Sequence, residues 1–222
     1  MRARFLLVTT DQVHAAAAAE RRDLADLLER LDDAQWSTPS LCAGWDVRTV
    51  AGHLVSALSP SPWPLVGAVL RSGGRPDVAN DALARREARE SPKQLVALLR
   101  QRAGRRITPP VTGARGPLTD VLVHAGDIRV PLGLPHSPVA DHVRPALAFV
   151  TVGRPLGFVP RGRLAGLRLV ADDLDQAWGA GTPVTGSGID LLMAACGRAA
   201  VLPRLDGPGL AVLRERLEKT PG

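Results

Sequence analysis

The segment Leu118-Thr119-Asp120-Val121-Leu122-Val123-His124-Ala125-Gly126-Asp127-Ile128-Arg129-Val130, bracketed by Pro117 and Pro131, constrains the fold more than any other stretch of the chain. The two prolines suit a helix start and a helix stop. On that helix Leu118, Val121, Leu122, Val123, Ala125 and Ile128 cover nearly the whole circumference, and a helix apolar all round is a buried one. What remains is a single polar stripe, Asp120, His124 and Asp127, at i, i+4 and i+7. Burying a carboxylate or imidazole without a partner costs on the order of several kcal/mol. The stripe must therefore be satisfied inside the protein, either by a His–Asp hydrogen bond within a helical core or by a bound metal ion.

A second histidine bears on that choice. In Leu41-Cys42-Ala43-Gly44-Trp45-Asp46-Val47-Arg48-Thr49-Val50-Ala51-Gly52-His53-Leu54 a loop tightens into a helix. Asp46 suits the N-cap, because its carboxylate accepts from the free amides of the first turn and meets the positive end of the helix dipole. Val47, Val50, Leu54 and Leu58 share one apolar stripe, and His53 lies at its margin, about 60° beyond Val50. Such a histidine is either hydrogen-bonded in the core or turned into a cleft as a ligand. A carboxylate and a histidine four apart, with a histidine from another helix, supply the two nitrogens and one oxygen of an open tetrahedral zinc site. The expected metal ligands are therefore His53, Asp120 and His124. Asp127 is expected to stand behind them, holding a ligand by hydrogen bond.

These residues carry a resemblance. Cys42-x-Gly44-Trp45-x-Val47-Arg48-x-Val50-x-x-His53-Leu54, with Val123-His124-Ala125-Gly126-Asp127-Ile128-Arg129-x-Pro131-Leu132-Gly133 downstream, resembles the mycothiol-dependent maleylpyruvate isomerase family, a branch of the DinB-like metal-binding four-helix bundles. The C-terminal third also resembles that family's small second domain. The family pattern has a metal-ligating histidine at His53, a glutamate where Asp120 stands and a histidine at His124. Asp120 is one methylene shorter than the family's residue. The resemblance implies a divalent metal, zinc by preference, mycothiol as thiol cosubstrate, and isomerase or S-transferase activity on a small electrophilic, anionic substrate. It also places Arg198, in Cys196-Gly197-Arg198, as a substrate contact. No residue is singled out as the catalytic acid or base. The competing expectations are a metal-stabilised module that binds a small ligand or a protein without turnover, and a purely structural helical domain.

The formal charge is +6, with 28 basic and 22 acidic residues, and this raises the question of nucleic acid. The arginines are mostly interleaved with acids, as in Glu20-Arg21-Arg22-Asp23, which marks a solvated helix face. The chain has no Tyr and no aromatic-and-basic strip for stacking bases, so no nucleic-acid partner is expected. Two cysteines, Cys42 and Cys196, are too few for a disulfide framework. Cys42 is expected to be a packing residue. The apolar run after Met1 ends at Asp11 before reaching signal-peptide length, and no run approaches the roughly 20 residues that cross a bilayer. A cytoplasmic monomer or homodimer is expected, acting on small molecules away from membranes.

Along the chain, helical periodicity predicts a first helix over Asp11–Leu31, an irregular connection through Trp36 and Pro39, and a second helix over Asp46–Leu58. Pro60, Pro62 and Pro64 are expected to bar regular structure. A short charged helix over Val78–Arg89 precedes one opened by Ser91-Pro92-Lys93-Gln94, with Ser as N-cap and Gln at N3 as a capping box. The arginines of Arg100-Gln101-Arg102-Ala103-Gly104-Arg105-Arg106 are expected to complement a negative helix terminus. Val139–Val152 reads as the last helix of the first domain. Beyond Pro155 and Pro160 the period changes to strands at Leu167–Ala171 and Trp178–Val184, and Gly179-Ala180-Gly181 reads as a strand turn. Ser187 caps a helix over Ile189–Cys196, and another spans Pro208–Leu217. The fold class is α+β: a DinB-like up-and-down four-helix bundle over residues 1–153, then a small mixed α/β domain over 160–222.

Overall fold

The computed structural model describes residues 8–61 and 63–219. Most of the N-terminal apolar run, and Pro62, lie outside the described residues. Helix α1 spans Thr10–Leu28. It ends three residues short of Leu31 because Arg30 and Leu31 turn back onto Leu27 and Leu28 in tightened i→i−3 bonds of 3.0 and 3.3 Å. The following connection is not wholly irregular. Asp32 accepts from the Gln35 amide at 2.8 Å, and the Gln35 side chain accepts from the Asp32 amide at 3.0 Å, a capping box that opens the short α2, Asp33–Trp36.

Helix α3 runs Val47–Ala57 and is followed by α4, Trp63–Arg71, where irregular chain was expected. Pro64 falls in the first turn of α4, where a missing N–H has no intrahelical partner to lose, so it is compatible with the helix. Helices α5, Pro76–Glu87, and α6, Pro92–Arg102, then follow; Ser91 caps α6 by accepting from Gln94 N at 3.2 Å. Helix α7 is Arg115–Arg129 and α8 is Ala140–Val152. Strands β1, Leu167–Ala171, β2, Gln176–Gly179, and β3, Thr182–Gly186, lead to α9, Gly188–Ala195, a 3-10 segment at Ala199–Arg204 and α10, Leu210–Lys219. The helical N-terminal region and small mixed α/β C-terminal part are as expected. Among the described residues no helix is long and apolar enough to cross a membrane.

The sheet order is β2-β1-β3, with β2 antiparallel and β3 parallel to β1. The segment Trp178–Val184 is divided at the expected Gly179-Ala180-Gly181 turn into two strands on opposite sides of β1. Leu169 stands opposite Trp178 on one side and Val184 on the other, so one face carries a buried row. The chain passes from β2 to β3 through Gly179-Ala180-Gly181. A Cβ on Gly181, at φ +131°, would lie 2.1 Å from the Gly166 carbonyl oxygen, so this passage admits only glycine.

By spatial contact the described chain divides into two compact units. One holds the residues through Ala17, Arg106–Leu122 and those from Ser137 on. In it α8 meets the C-terminal elements: Arg144 of α8 donates to the Leu174 carbonyl at 2.8 Å, and Gly188, at the start of α9, leaves no room for a Cβ against Leu174 and Val143. The other unit holds Ala18–Arg105 and Val123–His136. Leu24, Leu28, Val50, Leu95, Leu99 and Ile128 are fully buried there, each contributing about 1.5–3 kcal/mol. The arginines after Leu99 do serve a helix end, though that of a neighbour: Arg102 donates to the Val55 carbonyl in the last turn of α3 at 2.9 Å, while Arg100 pairs with Asp26 of α1 and with Glu29 just beyond it. The end of α6 is met by buried Arg21, which donates to the Ala103 and Arg105 carbonyls at 3.0 and 3.1 Å.

Candidate metal centre

Two helices supply the histidines. Asp46 sets the start of α3, its Oδ1 accepting from the Thr49 amide at 2.8 Å and from the Thr49 hydroxyl at 2.6 Å. Seven residues on, His53 is buried, at 7% exposure. Beside it, Gly52 lets α5 approach so closely that a Cβ would fall 2.5 Å from the Ala84 carbonyl oxygen and 2.8 Å from the Ala88 nitrogen. That approach brings Asn80 of α5 to His53, with Nδ1 and Oδ1 3.0 Å apart. An amide oxygen only accepts, so Nδ1 is the donor in this bond.

On α7, His124 Nδ1 lies 2.9 Å from Oδ2 of Asp127, which is wholly buried. The same reasoning puts the proton of His124 on Nδ1. The pair is the His–Asp bond that the spacing allowed. It is equally the arrangement that fixes tautomer and ring direction in metal-binding histidines. Leu41 N donates to the Asp127 carbonyl at 3.1 Å, and the Cys42 thiol donates to Asp127 Oδ2 at 3.1 Å, so the loop before α3 is pinned to α7 at this carboxylate. Cys42 is therefore a polar contact as well as a packing residue.

The two imidazoles meet edge to face, their centroids 4.7 Å apart and their planes at 68°. The Trp45 ring lies 5.5 Å from that of His53 and 6.5 Å from that of His124. Trp45 Nε1 donates to Asp81 Oδ1 at 2.7 Å, and Arg85 Nε donates to both Asp81 oxygens at 2.9 and 3.0 Å. The Arg85 guanidinium first, and the indole second, hold the Asp81 carboxyl below its usual range. A cavity of 320 Å³ opens beside this loop, lined among others by Ser40, Cys42, Trp45, Thr49 and Arg85.

Asp120, half-buried, precedes His124 by one turn of the continuous helix α7. His53, Asp120 and His124 can each offer a donor atom to a metal ion, the two histidines from within one unit. Asp127 stands behind His124, as the spacing on α7 allows. Cys42, His124 and Asp127 form a second such group. Arg198 lies in the unit that does not hold the two histidines, and its Nη1 donates to the Cys196 carbonyl at 2.7 Å. It stands near Arg163, whose pKa is lowered chiefly by burial, with the charge of Arg198 adding to the effect. Asn80 escaped sequence reasoning altogether, because it sits in a charged surface helix with no motif around it.

Residues 17–108 match the family model described as Mycothiol maleylpyruvate isomerase N-terminal domain. A comparison with curated proteins finds no match. Among solved structures, the crystal structure of the mycothiol-dependent maleylpyruvate isomerase aligns with a TM-score of 0.60 and 16% identity, over 90% of this chain and 93% of that one. The structure of a histidine-to-alanine mutant of that enzyme aligns with the same values. At this identity the likeness establishes a shared fold. The family model thus matches the stretch that carries His53, in keeping with the resemblance read there, while the His124 stretch lies beyond the matched residues.

Proposed function

We propose that this chain is a metal- and thiol-dependent isomerase or S-transferase of the maleylpyruvate isomerase kind, using mycothiol on a small, electrophilic, anionic substrate. The observation that carries this reading is the facing pair of histidines, His53 buried and His124 partly buried, whose Nδ1 atoms are engaged by Asn80 and Asp127. Two nitrogens and one oxygen fit zinc or a similar divalent ion with a coordination position left over. His53, Asp120 and His124 would hold it, and when bound it would lower the pKa of a thiol and keep the nucleophile available at neutral pH.

The chain's own residues do the rest. Asn80 and Asp127 hold the two imidazoles in one tautomer and one orientation. Trp45, held by Asp81, presents an apolar ring beside both. In an isomerisation of this class the thiol sulfur adds to one carbon of a conjugated cis double bond, the weakened bond rotates, and expulsion of the same sulfur restores the double bond as trans. No atom is gained or lost overall. Arg198 is proposed to meet an anionic group of the substrate.

A second reading, a metal-stabilised binding module without turnover, draws support from Asp120, whose shorter side chain departs from the family's glutamate. Metal analysis of protein purified without added zinc decides the first step. Stoichiometric metal in the wild type, lost in His53→Ala and in His124→Ala, is the expected result, and unchanged metal in both variants would overturn the site. Thiol-dependent turnover of maleylpyruvate then separates enzyme from binding module.

A further inference from the structure

A second set of donors lies wholly within the unit formed by Ala18–Arg105 and Val123–His136. Cys42 Sγ is 3.6 Å from His124 Nδ1 and 3.1 Å from Asp127 Oδ2, and those two atoms are 2.9 Å apart. Zinc–ligand bonds of about 2.3 Å to sulfur and about 2.0–2.2 Å to nitrogen and oxygen, at tetrahedral angles, place S···N and S···O edges at about 3.6 Å and the N···O edge at about 3.4 Å. The observed triangle has the shape of one face of such a site, contracted by up to about 0.5 Å as its hydrogen bonds require. The donors also match a cation in kind. A thiol is a weak hydrogen-bond donor, whereas a cation in its proton's place sets full positive charge beside a wholly buried carboxylate. Access is available, since Cys42 lines the 320 Å³ cavity.

We propose that Cys42, His124 and Asp127 form a second cation site, selective for a thiophilic divalent ion such as cadmium or zinc. Binding forms a sulfur–metal bond and releases the thiol proton to solvent, and the proton on His124 Nδ1 gives way to one on Nε2. The two donor groups then use opposite nitrogens of one imidazole and are filled as alternatives. This last consequence rests on the proposed function; the Cys42 site does not.

The test is titration of the metal-free full-length protein with Cd²⁺, followed by the thiolate-to-cadmium charge-transfer band in the ultraviolet. The expected result is one band per chain, kept in Cys196→Ala and in His53→Ala and lost in Cys42→Ser. Even outer partners of a metal are worth about 10–100-fold in affinity, so Cys42→Ser should weaken Cd²⁺ binding by about tenfold or more. Absence of the band from the wild type, its survival in Cys42→Ser, or its loss in His53→Ala would each overturn the site. Cys42→Ala, which keeps the small size and lacks any metal donor, must repeat the Cys42→Ser result. Zinc retained in His53→Ala but lost when Cys42→Ser is added belongs to this site, and only zinc retained in that double variant counts against the proposed function.

Discussion

Asp127 accepts from Nδ1 of His124 at 2.9 Å from a position with no solvent exposure, three residues along the same helix. A carboxylate so placed orients the imidazole and fixes which nitrogen faces the proposed metal ligands. Asp127→Ala should therefore lower metal affinity by about 10–100-fold without abolishing it. It should also cost about 1–3 kcal/mol of stability by leaving a buried N–H without its acceptor. Competition with a chelator and urea unfolding measure the two effects. Asp127→Asn keeps an acceptor oxygen and should fall between.

Asp120 is the residue on which ligand geometry turns. If it binds the metal directly, Asp120→Ala loses metal to the same chelator concentration as His53→Ala. A loss confined to about 10–100-fold would instead assign it an outer role. Asp120→Glu tests the missing methylene, and tighter binding in that variant is the expected outcome.

Gly52 is where α3 and α5 touch. In Gly52→Ala the new Cβ meets the backbone at Ala84 and Ala88, which cannot rotate away as a side chain would. Overpacking of this kind costs about 1–3 kcal/mol. Because Asn80 rides on α5, metal affinity should fall along with the urea midpoint. A variant with wild-type stability and affinity would show that the close approach has no role in the site.

Asp81 gives the site loop a pH dependence of known sign. Its carboxyl is held below the ordinary value of 3.8 by Arg85 and then Trp45. A depressed carboxylate pKa contributes stability that is fully present above the unfolded value and is lost as pH falls through the folded one. The stability difference between wild type and Asp81→Asn should thus be flat from pH 7 to about pH 4 and shrink below that. It should stay under about 1 kcal/mol, since the pair is half exposed and screened. Urea titrations at several pH values measure it, and a difference already falling near pH 6 would refute the assignment.

Arg198 is proposed to contact the substrate's anionic group. Arg198→Ala should leave metal and thiol binding intact while reducing transition-state stabilisation by about 1.5–3 kcal/mol, read from kcat/KM. Full activity in this variant would place the role of the residue elsewhere, most simply in its bond to the Cys196 carbonyl.

The parts of the site that depend on short-range geometry were legible in the sequence. The i, i+4, i+7 spacing of Asp120, His124 and Asp127 places them on one stripe of any helix, and Asp46 caps α3 whatever surrounds it, because both follow from local backbone geometry. Apolar patterning likewise sufficed to mark α7 as buried. It did not mark α4, where Pro64 reads as a breaker until the chain is known to start a helix just before it. Nor could it tell that the strands on either side of the Gly179-Ala180-Gly181 turn pair on opposite sides of β1, since the choice of partner is made by tertiary packing. The partners of the histidines were decided by tertiary structure alone. Asn80 is 27 residues from His53 and Cys42 is 85 from Asp127, and no periodicity links such positions. Helix α5 reaches His53 because Gly52 removes a side chain from its path, and the Cys42 loop reaches Asp127 because Leu41 finds a backbone acceptor there. Periodicity specifies which face of a helix is polar; close packing specifies which polar groups from distant segments that face will meet.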